Sequence, residues 1–409
     1  MSTEKQIAWK ALALILVLAL LVPMLAACDD DDDDQKTTTP SSTAVFTEME
    51  TTAETVNDEP VKMGICMATS GAVAMAGMVG KQVVGMVEKM VQENGGIQVG
   101  SVKRPVEFIW YDDKGEVSGT MAGWKKLVDQ EHISVMAMGG VTGAQLVEMA
   151  AQSNEFKVPY IDYSSGPEDL TKYPYTSRVG QTLMTCAIPA ADLIRDLKPG
   201  TVALLGEEEQ DDHDYFDILK SMALDPIGAE VVYEQYVTLG TQDITPYLTK
   251  IIREEPDILI QFGANFQSFG NVYKNIDGLG GWRDMTYIAG ISPANMYQKE
   301  SSAVGTYQWM LWAPVTDNPG TVEYLAACEK YGVKTDSNHI FMWNALWTAI
   351  RAVEQAGSDD PEEINTVLRS GEFQWDAPTG LLKIDADGEP GITGVMVQVG
   401  EGGQVTIVK

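Results

Sequence analysis

From Val61 onward, short apolar runs alternate with longer amphipathic stretches, and this rhythm constrains the fold more than any other feature of the chain. Residues 62–67 read as a strand, 78–94 as a helix stopped by Gly95-Gly96, and 106–111 as a second strand. A helix over 117–130 follows, then strand 133–138, helix 144–153 and strand 159–163. The rhythm restarts with helix 186–197, strand 201–205, helix 215–224 and strand 230–236. Helix 244–254, strand 257–262, helix 266–279 and strand 285–289 complete the series. Repeated strand–helix units predict parallel sheets covered by helices on both faces. Two such series in one chain predict two similar α/β lobes, each a doubly wound parallel sheet. In open parallel sheets, ligands sit beyond the carboxyl ends of the strands and beside helix N-termini. Candidate binding residues therefore fall in the loops that follow each strand.

The first 27 residues are address rather than fold. Lys5 and Lys10 precede an apolar run over 11–22, and small residues lead into Leu25-Ala26-Ala27-Cys28. These are the three parts of a secretory signal. The stretch 7–27 also suits the length of a membrane span, about 20 residues. What decides for a lipoprotein signal is the Leu-Ala-Ala-Cys ending, which resembles the bacterial lipobox and is followed at once by six aspartates over 29–34. Cys28 would then carry the lipid, and because each buried CH₂ contributes about 0.8 kcal/mol, a diacylglycerol-modified cysteine anchors stably. After Cys28, residues up to 60 are acidic, then rich in Thr, Ser, Pro and Glu, and too polar to pack. They read as a disordered tether spanning roughly 30 Å as a flexible coil. The unspaced aspartates lack the turn glycine that a calcium loop needs.

Charge and cysteine usage narrow the partners. Formal net charge is −31; the signal carries +1 and residues 29–60 carry −10, so −22 stays on residues 61–409. A body this acidic argues against nucleic acid or anionic lipid as a partner. Cys66, Cys186 and Cys328 are an odd set without CxxC spacing, which allows at most one disulfide and suits buried free thiols. His132, His213 and His339 are scattered, so no metal site and no cofactor are expected. No Gly-x-Ser-x-Gly elbow, zinc spacing or P-loop appears, so no enzyme is expected either.

Several segments between 61 and 409 then fall in a meaningful order. They are VKMGICMATSGAVAMAG, the helix ending in NGGI, FIWYDDKGEVSGTMAGWKKLV, MGGVTGAQL and VPYIDYSSGPEDLT. YTSRVGQ, TLGTQDITPYLTKIIREEPDILIQFGA and TGLLKIDADGEP follow. In this order, beside the lipobox, the sequence resembles the branched-chain amino-acid-type (leucine/isoleucine/valine-binding-like) solute-binding proteins of ABC transporters, with the type I periplasmic-binding fold. The resemblance implies two lobes joined by a three-strand hinge, residues 61–180 and 313–378 forming one and 181–312 and 379–409 the other. It implies a monomer that closes on a small-molecule solute and delivers it to a permease in the membrane, outside the cytoplasm, without catalysis. The alternative is a ligand-sensing lipoprotein that signals through a separate receptor; a receptor ectodomain of this fold would need a membrane span or signalling domain after the lobes.

The family's ligand loops map onto specific positions. Ser70 and Gly71 follow the first strand; Thr142 and Gly143 stand where the family has a serine, in a loop one residue shorter; Ser164 and Ser165 match the next loop. In amino-acid binders these loops are implied to hold the substrate carboxylate through N–H groups and hydroxyls. Each residue type is equally at home as a loop cap or turn residue. The second lobe departs from the pattern, because Gly290-Ile291-Ser292-Pro293 has no carboxylate where amino-acid binders neutralise the ammonium. An unpaired buried ammonium is costly, so either Glu207, Glu208, Glu209 or Asp211 supplies the charge, or the solute is an amide, urea-like or aromatic carboxylate. Tyr215, after an acidic loop over 207–214, is the nearest aromatic; Asn265 and Phe266 replace another; Ile291 and Ser292 complete the candidates. Trp343 and Trp347, four apart, read as helix core, whereas Trp309 and Trp312 lie near the crossing between lobes. Asp112-Asp113 and Asp385-Ala386-Asp387-Gly388 read as structural turns.

Overall fold

β1 (Val61–Cys66) shows why the first sheet forms: Val61, Met63 and Ile65 join one apolar cluster and Cys66 a second on the opposite face. A strand buried on both faces belongs in the middle of a helix-covered parallel sheet. The computed structural model describes residues 57–71, 73–163, 169–238, 241, 243–263, 271–290, 300–335 and 337–409. The chain continues through α1 (Ala74–Glu93), the hairpin β2 (Ile97–Val99) and β3 (Val102–Arg104), and β4 (Val106–Tyr111). Next come α2 (Val117–Asp129), β5 (Val135–Gly139), α3 (Gly143–Phe156), β6 (Tyr160–Asp162) and β7 (Thr176–Arg178). The strands pair in the order β4-β1-β5-β6-β7, all parallel, so their carboxyl ends share one edge.

The second sheet repeats the plan. α4 (Leu183–Leu197) leads to β8 (Thr201–Glu207) and α5 (Gln210–Leu219), which is prolonged by a wide turn Lys220–Leu224 and a last turn Asp225–Ile227. β9 (Glu230–Val237), α6 (Thr245–Glu254), β10 (Ile258–Gln261), α7 (Val272–Gly278), β11 (Thr286–Ala289) and β12 (Tyr307–Met310) follow. Then α8 (Pro319–Tyr331), α9 (Ser337–Ala356), α10 (Pro361–Leu368) and the hairpin β13 (Gln374–Ala377) and β14 (Gly380–Lys383) return to the first sheet, where α9 packs on α1 and β5. β15 (Val395–Val399) and β16 (Val405–Ile407) end in the second sheet, whose order is β16-β15-β12-β11-β10-β8-β9. From β9 to β12 the neighbours are parallel; β15 and β16 are antiparallel. The protein is therefore mixed α/β with two parallel-sheet lobes.

The chain passes between the sheets over 179–182, 311–318 and 384–394. Trp309 donates its ring N–H to the Thr185 carbonyl at 3.1 Å, and Gly394 donates its backbone N–H to the same oxygen at 3.3 Å. A Cβ on Gly394 would fall less than 3.0 Å from the Trp309 indole, so only glycine fits there. One apolar cluster runs through both sheets and includes α1, α4, α5 and α9.

Three differences from the sequence reading have physical causes. The helix expected over 78–94 starts at Ala74, and the run read as an acidic loop is the end of β8 plus the first turns of α5. The N–H of Glu207 donates to buried Asp212 at 2.5 Å, and acidic residues favour a helix N-terminus. The antiparallel edge β12-β15-β16 lies outside the strands read from the sequence, because its strands are three to five residues long. The helix expected over 266–279 is described from Val272; residues 264–270 lie outside the described residues. No helix among the described residues is long and apolar enough to cross a membrane, and 7–27 is outside them.

Candidate functional site

The carboxyl edges of the two sheets are brought together by the shortest crossing, since only residues 179–182 separate the end of β7 from the start of α4, which meets Trp309 of β12. The loops leaving these edges form the candidate site. In the first lobe, α1 approaches the loop after β1 so closely that a Cβ on Gly77 would fall less than 3.0 Å from the Ala68 carbonyl. Asp112, just past β4, organises that loop. Its Oδ1 accepts the N–H groups of Thr69 (2.9 Å), Ser70 (3.3 Å) and Lys114 (3.1 Å), and its Oδ2 accepts the Ser70 hydroxyl at 2.7 Å. Against partial desolvation, these donors hold the Asp112 carboxyl well below the usual carboxylate range.

Asp113 turns the other way, into the lobe, and is buried. Its Oδ1 accepts the Gly115 N–H at 2.9 Å, and its Oδ2 accepts the Gln145 amide at 2.8 Å and the Thr120 hydroxyl at 3.4 Å. Burial pushes its carboxyl up, with the Asp112 charge adding to the effect. The Cys66 thiol lies 4.0 Å from Oδ2, and burial pushes that thiol up as well. Because Gln145 gives its N–H₂ to Asp113 and Thr120, its Oε1 faces the loop after β5. There it accepts the N–H groups of Val141 and Thr142 and the Thr142 hydroxyl, each at 3.3 Å. Thr142 also caps α3, closing a capping box with Gln145. Gly143, the next residue, begins α3 and is exposed. Two adjacent carboxylates thus hold the loops carrying Ser70 and Gly71 on one side and Thr142 and Gly143 on the other. This link through Gln145 was not legible beforehand, since it requires knowing that α3 faces α2.

In the second lobe, Tyr215 of α5 is fully buried and stacks on Phe262 at 3.8 Å between ring centroids, with 17° between planes. Its hydroxyl has no partner among the described residues. A Cβ on Gly290 would lie 3.3 Å from that hydroxyl, which places it where the chain leaves β10 and β11. Of the acidic run, Glu207 and Asp212 are fully buried, whereas Glu208 and Asp211 are exposed. Ser164, Ser165, Asn265, Phe266, Ile291, Ser292 and Cys28 lie outside the described residues.

Other features frame the site without joining it. Arg178, at the end of β7 and fully buried, pairs with Asp162 at 3.1 Å and Glu389 at 3.5 Å, and its N–H meets the Gly388 carbonyl at 2.8 Å. This ties the 385–389 turn to the first sheet. All four tryptophans named above are buried, Trp312 donating to Thr321 Oγ1 at 2.9 Å. Cys66, Cys186 and Cys328 are buried and form no disulfide among the described residues. A cavity of about 500 Å³ lined by Trp282, Arg283, Thr286 and Thr306 opens at the amino ends of β11 and β12, away from the carboxyl-end loops.

Comparison with known proteins adds the family context. A family model described as periplasmic binding protein matches residues 60–404. No curated protein matches the chain. Among solved structures, a branched-chain amino acid transporter substrate-binding protein from Streptococcus pneumoniae, in complex with isoleucine, is similar at 19% identity and TM-score 0.71, over 86% of this chain and 100% of that one. A solute-binding protein of an ABC transporter from R. palustris, in complex with 4-hydroxybenzoate, is similar at 20% identity and TM-score 0.71, over 86% and 96%. An amino acid ABC transporter substrate-binding protein from Pseudomonas fluorescens is similar at 17% identity and TM-score 0.74, over 86% and 95%.

Proposed function

The chain belongs to the periplasmic binding protein family, and from that premise we propose that it is the solute-binding component of an ABC uptake system, held outside the cytoplasm by a lipid on Cys28. The lobe expected over 61–180 and 313–378 extends to 383, because β14 pairs with β13; residues 181–312 with 395–409 form the other, and the two close by a hinge motion around one small solute. The closed form is what the permease recognises. The solute is an amino acid or a related amide, urea-like or aromatic carboxylate. Isoleucine and 4-hydroxybenzoate in the similar structures fall within that range.

The observation that carries this reading is the Tyr215 hydroxyl. Burying a hydroxyl without a partner costs about 1–3 kcal/mol, and such a group persists where a ligand completes it. Tyr215 sits at the carboxyl ends of β10 and β11, where the fold places its ligands. Glu207, buried at the end of β8, is the acidic group that would face an ammonium in place of the carboxylate absent from 290–293. A thermal-shift screen of the full chain against amino acids, amides and aromatic acids tests the reading. A solute at about 100 times its Kd adds about 2.7 kcal/mol, which is several degrees in melting temperature. Tyr215→Phe is expected to keep or raise the melting temperature of the free protein and to weaken the solute that scores by about tenfold. A screen without any shift would sink the reading. A large shift with leucine, isoleucine or valine alone would remove the departure from aliphatic amino acids.

A further inference from the structure

The hydrogen bonds of the first lobe fix which way its hydroxyl protons point. An ionised carboxylate has no proton to give, so in the 2.7 Å contact between Ser70 Oγ and Asp112 Oδ2 the serine is the donor. Asp112 stays ionised because the Thr69, Ser70 and Lys114 N–H groups converge on its other oxygen. Ser70 has one hydroxyl proton, and Asp112 takes it. Thr142 is arranged alike: its hydroxyl donates to Gln145 Oε1 at 3.3 Å and accepts the Gln145 N–H at 3.4 Å. Gln145 is held in that orientation, because the reverse would set its carbonyl oxygen against the Asp113 carboxylate. The N–H groups of Thr69, Ser70, Val141 and Thr142 are consumed by the same two side chains. Ser70 and Thr142 are both exposed, so what they turn outward is oxygen lone pairs.

We infer that this lobe grips its solute with acceptors: the solute offers a hydrogen-bond donor, an ammonium, amide N–H or hydroxyl, to Ser70 Oγ, and Asp112 is the positioning residue that imposes this polarity. The inference rests on the solute-binding reading above and narrows its solute class. It reverses the role that the family resemblance implies for these hydroxyls, which is donation to a carboxylate. A carboxylate on the same solute then falls away from Ser70 Oγ and Thr142 Oγ1.

Two matched pairs of probes test it by calorimetry on the full chain in detergent: leucine against 4-methyl-2-oxopentanoate, and 4-hydroxybenzoate against benzoate. Each pair differs in one donor group. The native chain is expected to prefer the donor-bearing member of the pair it binds by about tenfold or more. Ser70→Ala should weaken that member about tenfold and leave its partner unchanged. In Asp112→Asn the Oδ1 contacts survive while the new N–H₂ donates to Ser70 and releases its proton, so the preference should shrink or reverse. A purely structural role for Asp112 would weaken both members alike and leave the ratio unmoved. Equal native affinity within the pair, a Ser70→Ala loss shared by both members, or binding of neither pair overturns the inference. If the wider screen of amino acids, amides and aromatic acids is also empty, the solute-binding reading falls with it.

Discussion

At the scale of single residues, Asp112 and Asp113 are neighbours pushed in opposite directions. Asp112 lies below its unfolded value, near 3.9 for a free aspartate, so it contributes stability above that range and loses it as pH falls toward the folded value. Asp113 lies above its unfolded value, chiefly through burial, so it favours the fold in acid and disfavours it as pH rises through the raised value. Urea unfolding at about pH 7 and about pH 4 separates the two. The destabilisation caused by Asp112→Asn should be largest at the higher pH and shrink on acidification. The destabilisation caused by Asp113→Asn should grow on acidification, because the native carboxyl gains there. Equal pH dependence for both variants would contradict the assignment. The sequence made both residues visible as a turn pair, and Ser70 and Thr142 visible as candidate hydroxyls. It could not say where the protons go, since that depends on Gln145 meeting Asp113 from a helix 32 positions away.

At the scale of elements, two of the three glycines of α1 have opposite prospects. A Cβ on Gly77 would collide with the Ala68 carbonyl beneath it, whereas one on Gly85 meets nothing within 4 Å. Gly77→Ala is expected to cost about 1–3 kcal/mol through overpacking and to shift the loop bearing Ser70. Gly85→Ala should add about 0.4–1 kcal/mol through helix propensity and a smaller unfolded ensemble. Chemical denaturation of the two variants checks both signs. The elements that could be read from the sequence are those whose burial is written locally: β5 is a continuous apolar run, β1 and β10 are apolar apart from Lys62 and Gln261, and α6 has a clear amphipathic face. Those that escaped depend on distant partners. β7 is three residues that become a strand only by pairing with β6, and β12 needs β15, from nearly 90 positions later, to close its outer side. The start of α5 was hidden because buried Asp212 has the composition of a loop and the role of a cap for the end of β8.

At the scale of the whole molecule, the body keeps a charge of −22, and the proposed lipid site, Cys28, lies ahead of it. Like charge discourages the body from lying on an anionic surface, so under the proposed function the lipid alone holds it at the membrane. Cys28→Ala is therefore expected to move the protein from the detergent phase to the aqueous phase in detergent partition, with the melting temperature of the body unchanged. Retention of the variant in the detergent phase would refute anchoring through that cysteine.

The contact at the crossing between the sheets has a consequence for how this sequence can drift. Gly394 and Trp309 occupy one volume between them, and Thr185 receives a hydrogen bond from each. Neither position is free to change alone: a side chain at 394 requires a smaller ring at 309, and a smaller ring at 309 leaves a void unless 394 grows. The two positions should therefore vary as a pair among descendants of this chain, and a record of such paired exchanges would trace the hinge from sequences alone.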